Sequence, residues 1–469
     1  MKPKILLIVY DNDAHIGFFP MGTAALAAYL RQRHVEVEIY GQDIHHYPPE
    51  HLTGLLDANR YDIVCLSFIG AYYPYKKAKE IAQSIHAAKN RPCFVIGGHG
   101  PSPEPEYFLR LLGADVAVIG EGEETLAALV DAWQSKSSLS EVRGIAYRVG
   151  YDEVIVNPRR EPIADIDSLP MPAYTIFPMD VYKLRRDSGH VPRIGNRFSI
   201  QMLSGRGCKF NCNFCYRIDE GMRLRSAESI VDEMGWLFAT WGIRHFMFYD
   251  DLLMESESRT ISLCEAFIRS GPPGMTFTCQ GRLNYATPEV LQAMNRAGCA
   301  YIYYGVESFN DDILRTMNKA LTTEIIRRGV DNTREAGIRF SPNIIFGNIG
   351  ETREHLENSV NFLLEYDDFA QLRAIKPVTP YPGSPLYYLA IESGLLDGPE
   401  DFYERKHTNT DLLSVNFTPL SDEEFYDALN HANQRVIGNY CTALRQSYNH
   451  QLRRLYRDKD ATFRGFRHV

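Results

Sequence analysis

Three cysteines packed into eight residues constrain this 469-residue chain more than any other feature. Cys208, Cys212 and Cys215 stand in Gly205-Arg-Gly-Cys-Lys-Phe-Asn-Cys-Asn-Phe-Cys-Tyr216, directly after the apolar run 198–203. A strand ending in such a glycine-flanked loop can wrap three thiolates around one point, and thiolates are the soft ligands that iron–sulfur clusters require. Structural zinc takes four closed ligands, usually in paired short spacings, and the next cysteine along is Cys264. A disulfide would strand one thiol. A three-thiolate iron–sulfur site is favoured, with zinc as the alternative, and it leaves one iron open to a ligand. Cys65, Cys93, Cys264, Cys279, Cys299 and Cys441 read as small buried hydrophobes. Nine cysteines, unevenly spread, make no disulfide scaffold and point to a reducing cytoplasm.

Upstream, short Ile- and Val-rich runs at 5–10, 35–40, 63–68, 94–96 and 116–119 alternate with segments of helical spacing at 21–34, 75–89 and 123–133. This alternation predicts an α/β fold with a doubly wound, Rossmann-like parallel sheet. Such sheets bind ligands beyond the carboxyl ends of their strands. Candidates there are Asn12, Asp13, Phe19, Met21 and Gly22 after the first strand, and Ser67, Tyr72 and Tyr73 after the third. Gly97, Gly98 and His99 follow the fourth, and Gly120, Glu121, Gly122 and Glu123 the fifth. Glycines let backbone N–H groups approach a ligand beside a helix N-terminus. No turn reads GxGxxG, which disfavours a dinucleotide.

Runs 144–149 and 153–157 predict a hairpin, and Pro158, Pro162, Pro170, Pro172 and Pro178 mark a linker. The expected division is a first domain at 1–140, a linker at 141–195, a second domain at 196–390 and a helical region at 391–469. In that last region, 422–433 and 434–451 read as two helices.

Past the linker, strand-like runs recur at 198–203, 244–248, 276–279, 301–306, 340–345 and 371–377. The CxxxCxxC loop at the first of them, with Phe214 before the third cysteine, resembles the radical S-adenosylmethionine (SAM) superfamily. The run Gly347-Asn-Ile-Gly-Glu-Thr352 is similar to that family's GxPGET-like turn, with Ile in place of Pro. The resemblance implies a partial (β/α)6 barrel and a 4Fe-4S cluster on Cys208, Cys212 and Cys215, with SAM on the open iron. It also implies Glu307 and Ser308 near the ribose and amino-acid portion, Asp250 and Asp251 at the ammonium group, and Gln280 and Arg282 at the carboxylate. Phe214, Tyr216 and Asn343 join this cofactor set, and Tyr381 is a catalytic candidate.

A doubly wound domain ahead of such a barrel resembles the cobalamin-binding subclass of radical SAM enzymes, over about residues 4–394. The turns 19–22, 97–100 and 120–123 carry the match. The subclass's DxHxxG loop is not reproduced, because Asp13-Ala-His15-Ile-Gly17 has the wrong spacing. His15 is therefore expected not to ligate cobalt, and Tyr72 or Tyr73 to lie closest to it. The resemblance implies a C-methyltransferase that passes methyl from SAM through cobalamin to an unactivated carbon. A 5′-deoxyadenosyl radical would first take that carbon's hydrogen.

The expected substrate is a peptide or protein side chain, in its narrowest form a glutamine of methyl-coenzyme M reductase. Alternatives are a non-methylating tetrapyrrole ring cyclase and a non-catalytic corrinoid or metal-binding sensor. A ferredoxin or flavodoxin is the expected electron donor. Fifty Lys and Arg against 59 Asp and Glu give a formal net charge of −9, which argues against a nucleic-acid partner. No apolar run approaches the ~20 residues of a membrane span.

Overall fold

The computed structural model describes residues 3–11, 18–150, 153–185, 194 and 197–463. Asn12, Asp13 and His15 lie outside the described residues.

The first sheet holds seven strands: β1 (Lys4–Val9), β2 (Glu36–Gly41), β3 (Ile63–Ser67), β4 (Cys93–Gly97), β5 (Val116–Val118), β6 (Ile145–Val149) and β7 (Glu153–Val156), ordered β2-β1-β3-β4-β5-β6-β7. β1 to β5 pair in parallel. The central strands are buried because helices cover both faces, which explains their near-continuous apolar runs. The chain winds outward from β1 to β2 and then crosses to β3. The switch point, where such sheets take ligands, lies between the ends of β1 and β3.

The expected hairpin forms, but it is not part of a linker. β6 pairs antiparallel with β5, setting Val116 opposite Tyr147, so the sheet continues to Val156. β5 is three residues long and would otherwise expose an open edge. Two unforeseen helices, Pro49–Ala58 and Pro105–Leu112, each open on a proline, whose missing N–H costs nothing in a first turn.

The remaining strands are β8 (Leu184–Arg185), β9 (Phe198–Met202), β10 (Gly205–Gly207), β11 (Met222–Leu224), β12 (His245–Phe248), β13 (Thr276–Gly281), β14 (Cys299–Glu307), β15 (Arg339–Phe346) and β16 (Lys376–Pro377). β9 and β12 to β16 form the six parallel strands of a partial barrel, with β8 antiparallel at one edge. β10 and β11 make a separate hairpin. The last strand is shorter than expected. Residues 371–375 are not extended into the sheet, because the buried Arg373 guanidinium turns to Asp367, Asp368 and the Tyr301 hydroxyl.

The expected pair of C-terminal helices is one helix, Asp422–Leu452, opened by a capping box in which Ser421 and Glu424 exchange hydrogen bonds. No proline interrupts it, and a single glycine, Gly438, is accommodated within it. Between barrel and helix the chain returns to the first domain. Tyr387, Ala390, Leu396, Phe402, Tyr403 and Val415 share a core with Leu66, Phe68, Tyr75 and Phe108. Val9 and Phe19 in turn join the barrel core. The two sheets are therefore bound together from both sides. Among the described residues no helix is long and apolar enough to cross a membrane.

A candidate cofactor and substrate chamber

The cysteine loop is held from several directions. Asp250, at the end of β12, accepts hydrogen bonds at 2.6 Å from the backbone N–H groups of Ser204 and Gly205. Further along, the Asn213 N–H donates to the Met317 carbonyl, and the Asn318 amide donates to the Asn211 carbonyl. Cys212 is buried, Cys208 half-buried and Cys215 exposed. A hydrogen bond from Cys215 holds the Cys212 thiol below its usual range, and the charges of Lys319 and Arg282 add to the effect. Among the described residues no three His, Cys, Asp or Glu side chains already converge on a metal position. The donor set nonetheless fits a cluster chemically, as three thiols on one short loop with two cations against it.

Those cations sit on the loop's own aromatic rings. The Arg282 guanidinium lies 3.4 Å from the Phe210 ring centroid, and the Lys319 ammonium 5.6 Å from that of Phe214. Arg282 is 6% exposed, and one of its terminal nitrogens has no hydrogen-bond partner among the described residues. Lys319, equally buried, pairs at 2.9 Å with Glu307. Glu307 ends β14 at a register shift with φ 70°, so its side chain is presented from a left-handed position. Nothing in the sequence marked Lys319, which stands in an ordinary polar turn.

Two cavities meet beside this loop. One, of about 340 Å³, runs from the ends of β3, β4 and β5 to the barrel; its lining includes Gly22, Ser67, Gly97, Gly98, Gly120 and Gly122. Cys65, Val95, Val118 and Leu126 form its apolar depth between sheet and helices. Close approach matters here. A Cβ on Gly98, at φ +94°, would stand 2.8 Å from the Phe68 carbonyl oxygen, and one on Gly122 2.8 Å from Leu26. Asp219 and Asp250 each bring a buried carboxylate oxygen without a partner among the described residues. A deep apolar slot with glycine walls and a polar mouth fits the nucleotide tail of a cobalamin.

The second cavity, of about 610 Å³, is bounded by Ile69–Ala71 on the first-domain side and Phe214–Tyr216 on the cluster side; Val378, Tyr381 and Tyr403 close a third wall. His99 lines both cavities, its ring 5.9 Å edge-on from Tyr216. Burial lowers the His99 pKa despite Asp251 and Asp219, so the imidazole is neutral near pH 7. Gly383 admits Tyr216, because a Cβ there would come within 2.4 Å of its ring.

Several expected site residues do other work. Phe19 is core, 3% exposed and stacked on Tyr174 at 4.9 Å. Met21 faces a separate 300 Å³ pocket by the linker. Tyr72 and Tyr73 line neither cavity; they open the helix Tyr72–Ala87, where Pro74 is tolerated in the first turn. Glu121 and Glu123 line the smaller cavity, yet their carboxylates pair with Arg206 at 2.7 and 2.6 Å, and Glu121 also takes Arg223 at 2.7 Å. They join the first domain to the β10–β11 hairpin. Ser308 is fully buried, bonded to Asn310 and Glu351. Gln280 is half-buried near the end of β13, Asn343 is exposed within β15, three residues before its end, and Asp251 is exposed just past β12.

Asp250 braces the loop from a fully buried position, and burial raises its carboxyl to about 6. The sign follows. The native state binds this proton more tightly than the unfolded chain does, so the contribution is most favourable below pH 4 and is lost as pH rises through about 6. Asp250→Asn keeps one acceptor oxygen and deletes the charge. Urea unfolding of the apoprotein should show the variant gaining on the wild type by about 2–3 kcal/mol between pH 4 and 7. Parallel pH profiles would contradict this.

Comparison with known proteins agrees with this geometry. The B12 binding domain pattern matches residues 3–130 and the Radical SAM superfamily pattern residues 202–363. An uncharacterized methyltransferase of Pyrococcus horikoshii is 31% identical over 406 residues, covering 84% of each chain. The bacteriochlorophyllide d C-8(2)-methyltransferase of Chlorobaculum tepidum is 25% identical, covering 80% of each. In fold, the chain is similar to the radical SAM methyltransferase TsrM of Kitasatospora setae, solved with cobalamin and a [4Fe-4S] cluster, at TM-score 0.72 and 19% identity over 93% of this chain and 89% of that one. With a B12-binding sheet and a cysteine-loop barrel opening on one chamber, the chain belongs to the cobalamin-dependent radical SAM methyltransferase family.

Proposed function

We propose that the protein is a C-methyltransferase acting on an unactivated carbon held in the 610 Å³ chamber. One observation carries this reading: Ile69–Ala71 of the B12-binding domain and Phe214–Tyr216 of the cysteine loop line the same space. When bound, the cluster with SAM supplies a 5′-deoxyadenosyl radical and the corrin supplies the methyl group. The protein's own task is to hold substrate between two cofactors and keep water away. Cys208, Cys212 and Cys215 hold the cluster. Arg282, Lys319 and Glu307, with Gln280 and Asn343, offer the charges and amides that SAM's amino-acid end requires. A small ferredoxin or flavodoxin is the proposed electron donor.

The lining favours an apolar substrate. Ile69, Ala71, Phe214, Ile345, Pro377, Val378 and Pro382 leave most of its lining surface apolar, and Lys376, paired with Asp411 at 2.6 Å, marks the rim. Alongside the tetrapyrrole named in the Chlorobaculum relative, this supports a flat ring substrate over a peptide glutamine. The test is anaerobic incubation with trideuteromethyl-SAM, reductant and chlorin or peptide candidates. Mass spectrometry should find a three-deuterium methyl on a chlorin. Deoxyadenosine with an unlabelled product would instead indicate ring closure, and no deoxyadenosine would remove the enzyme reading.

A further inference from the structure

Tyr403 is 3% exposed, and its buried hydroxyl has no hydrogen-bond partner among the described residues. It lies in Asp401–Lys406, a π-helical turn outside both matched stretches, 3–130 and 202–363. Such turns concentrate at functional sites. Its ring is clamped by the first domain, stacked on Tyr75 at 4.7 Å and on Tyr107 at 6.0 Å, and edge-on to Phe108 at 5.3 Å. Phe402 closes the fourth side at 4.9 Å.

The hydroxyl is thereby fixed over the loop that follows β3. A Cβ on Gly70 would stand 2.7 Å from the hydroxyl oxygen, so only glycine leaves it room. Tyr403 and Ile69–Ala71 line the 610 Å³ chamber together. This loop is one side of the sheet's switch point, where an α/β domain receives its ligand. Burial, with Tyr387, Tyr107 and Glu104 nearby, keeps the phenol protonated and therefore a donor. A buried donor without an acceptor is destabilising, so the arrangement makes sense once an acceptor arrives.

We propose that Tyr403 is a cobalamin-positioning residue supplied by the C-terminal segment, its hydroxyl donating to an amide oxygen on the rim of the corrin seated on the β3 loop. The B12 site is then completed from outside the B12-binding domain, and docking of the 401–406 turn is coupled to cofactor seating.

The test uses the full chain and hydroxocobalamin, titrated by absorbance and checked by co-elution on gel filtration. Tyr403→Phe keeps the ring stack and removes the donor. It should weaken cobalamin binding about tenfold, with iron content unchanged and apoprotein melting unchanged or higher. Binding within twofold of wild type would overturn the proposal. Gly70→Ala supplies a second reading, because its Cβ strikes the hydroxyl only while the hydroxyl is present. Its cost in cobalamin affinity should shrink in the Tyr403→Phe background, and equal costs in both backgrounds would also overturn the proposal. If Gly70→Ala does not fold, Tyr403→Phe alone decides.

Discussion

Cys212→Ala should abolish SAM cleavage while leaving the fold in place. Cys212 is the buried member of the three thiols and the one whose surroundings most favour a thiolate. Two remaining ligands cannot hold a cluster with one open iron. Reconstituted variant protein should therefore carry little iron and sulfide. Its yield of deoxyadenosine should fall on the order of a thousandfold or more, since radical formation belongs to the cofactor. Cys264→Ala is the control. That thiol is 1% exposed in the barrel core, and its loss should cost about 1 kcal/mol of packing with no change in iron. Full cluster content in Cys212→Ala would remove the ligand assignment; zinc in place of iron in the wild type would remove the radical reading.

Arg206→Met should destabilise the fold strongly, because it unpairs two nearly buried carboxylates. The guanidinium binds Glu121 and Glu123, whose side chains are 10% and 6% exposed. Removing it leaves Glu123 without its Arg206 pair and Glu121 with Arg223 and the Ile163 N–H. Breaking one partner of a buried pair costs about 3–5 kcal/mol, discounted here because Arg206 itself is 23% exposed. An expectation of about 2–3 kcal/mol in urea unfolding follows. The wild-type lock also has a pH signature. Burial pushes the Glu121 carboxyl up, but Arg223 and Arg206 bring it below the usual carboxylate value. Its stabilisation is thus complete above the ordinary carboxylate pKa and is lost as pH falls through the lowered folded value. The variant should lose part of this acid-side decline. Unchanged stability would show that the pairs do not join the domains.

Much of this architecture was legible before folding. Period and composition marked the five parallel strands of the first sheet and the six of the barrel, since strands buried on both faces must be apolar throughout. Thiol spacing marked the cluster loop, because three soft ligands so close have few other uses. The misassignments share one cause: local pattern does not say which surface an element meets. The hairpin at 145–156 reads the same whether free or paired to β5. Glu121 and Glu123 read as cofactor ligands until Arg206 and Arg223 arrive from a hairpin some eighty residues away or more. Tyr72 and Tyr73 read as turn residues because the helical spacing is plain only from 75 on, yet they form the first turn of the helix, which accepts Pro74.

The sequence by itself determined the three-thiolate site and both sheets, because thiol spacing and strand burial are written in local pattern and residue type, while SAM and cobalamin were implied by the family resemblance. Only the tertiary structure decided which strand-end residues face the chamber and which stitch the domains. It alone brought Lys319 and Arg282 to the cysteine loop and Tyr403 to Gly70. Those contacts join residues far apart in the chain, and their energies depend on burial and charge pairing that exist only once the surfaces have met.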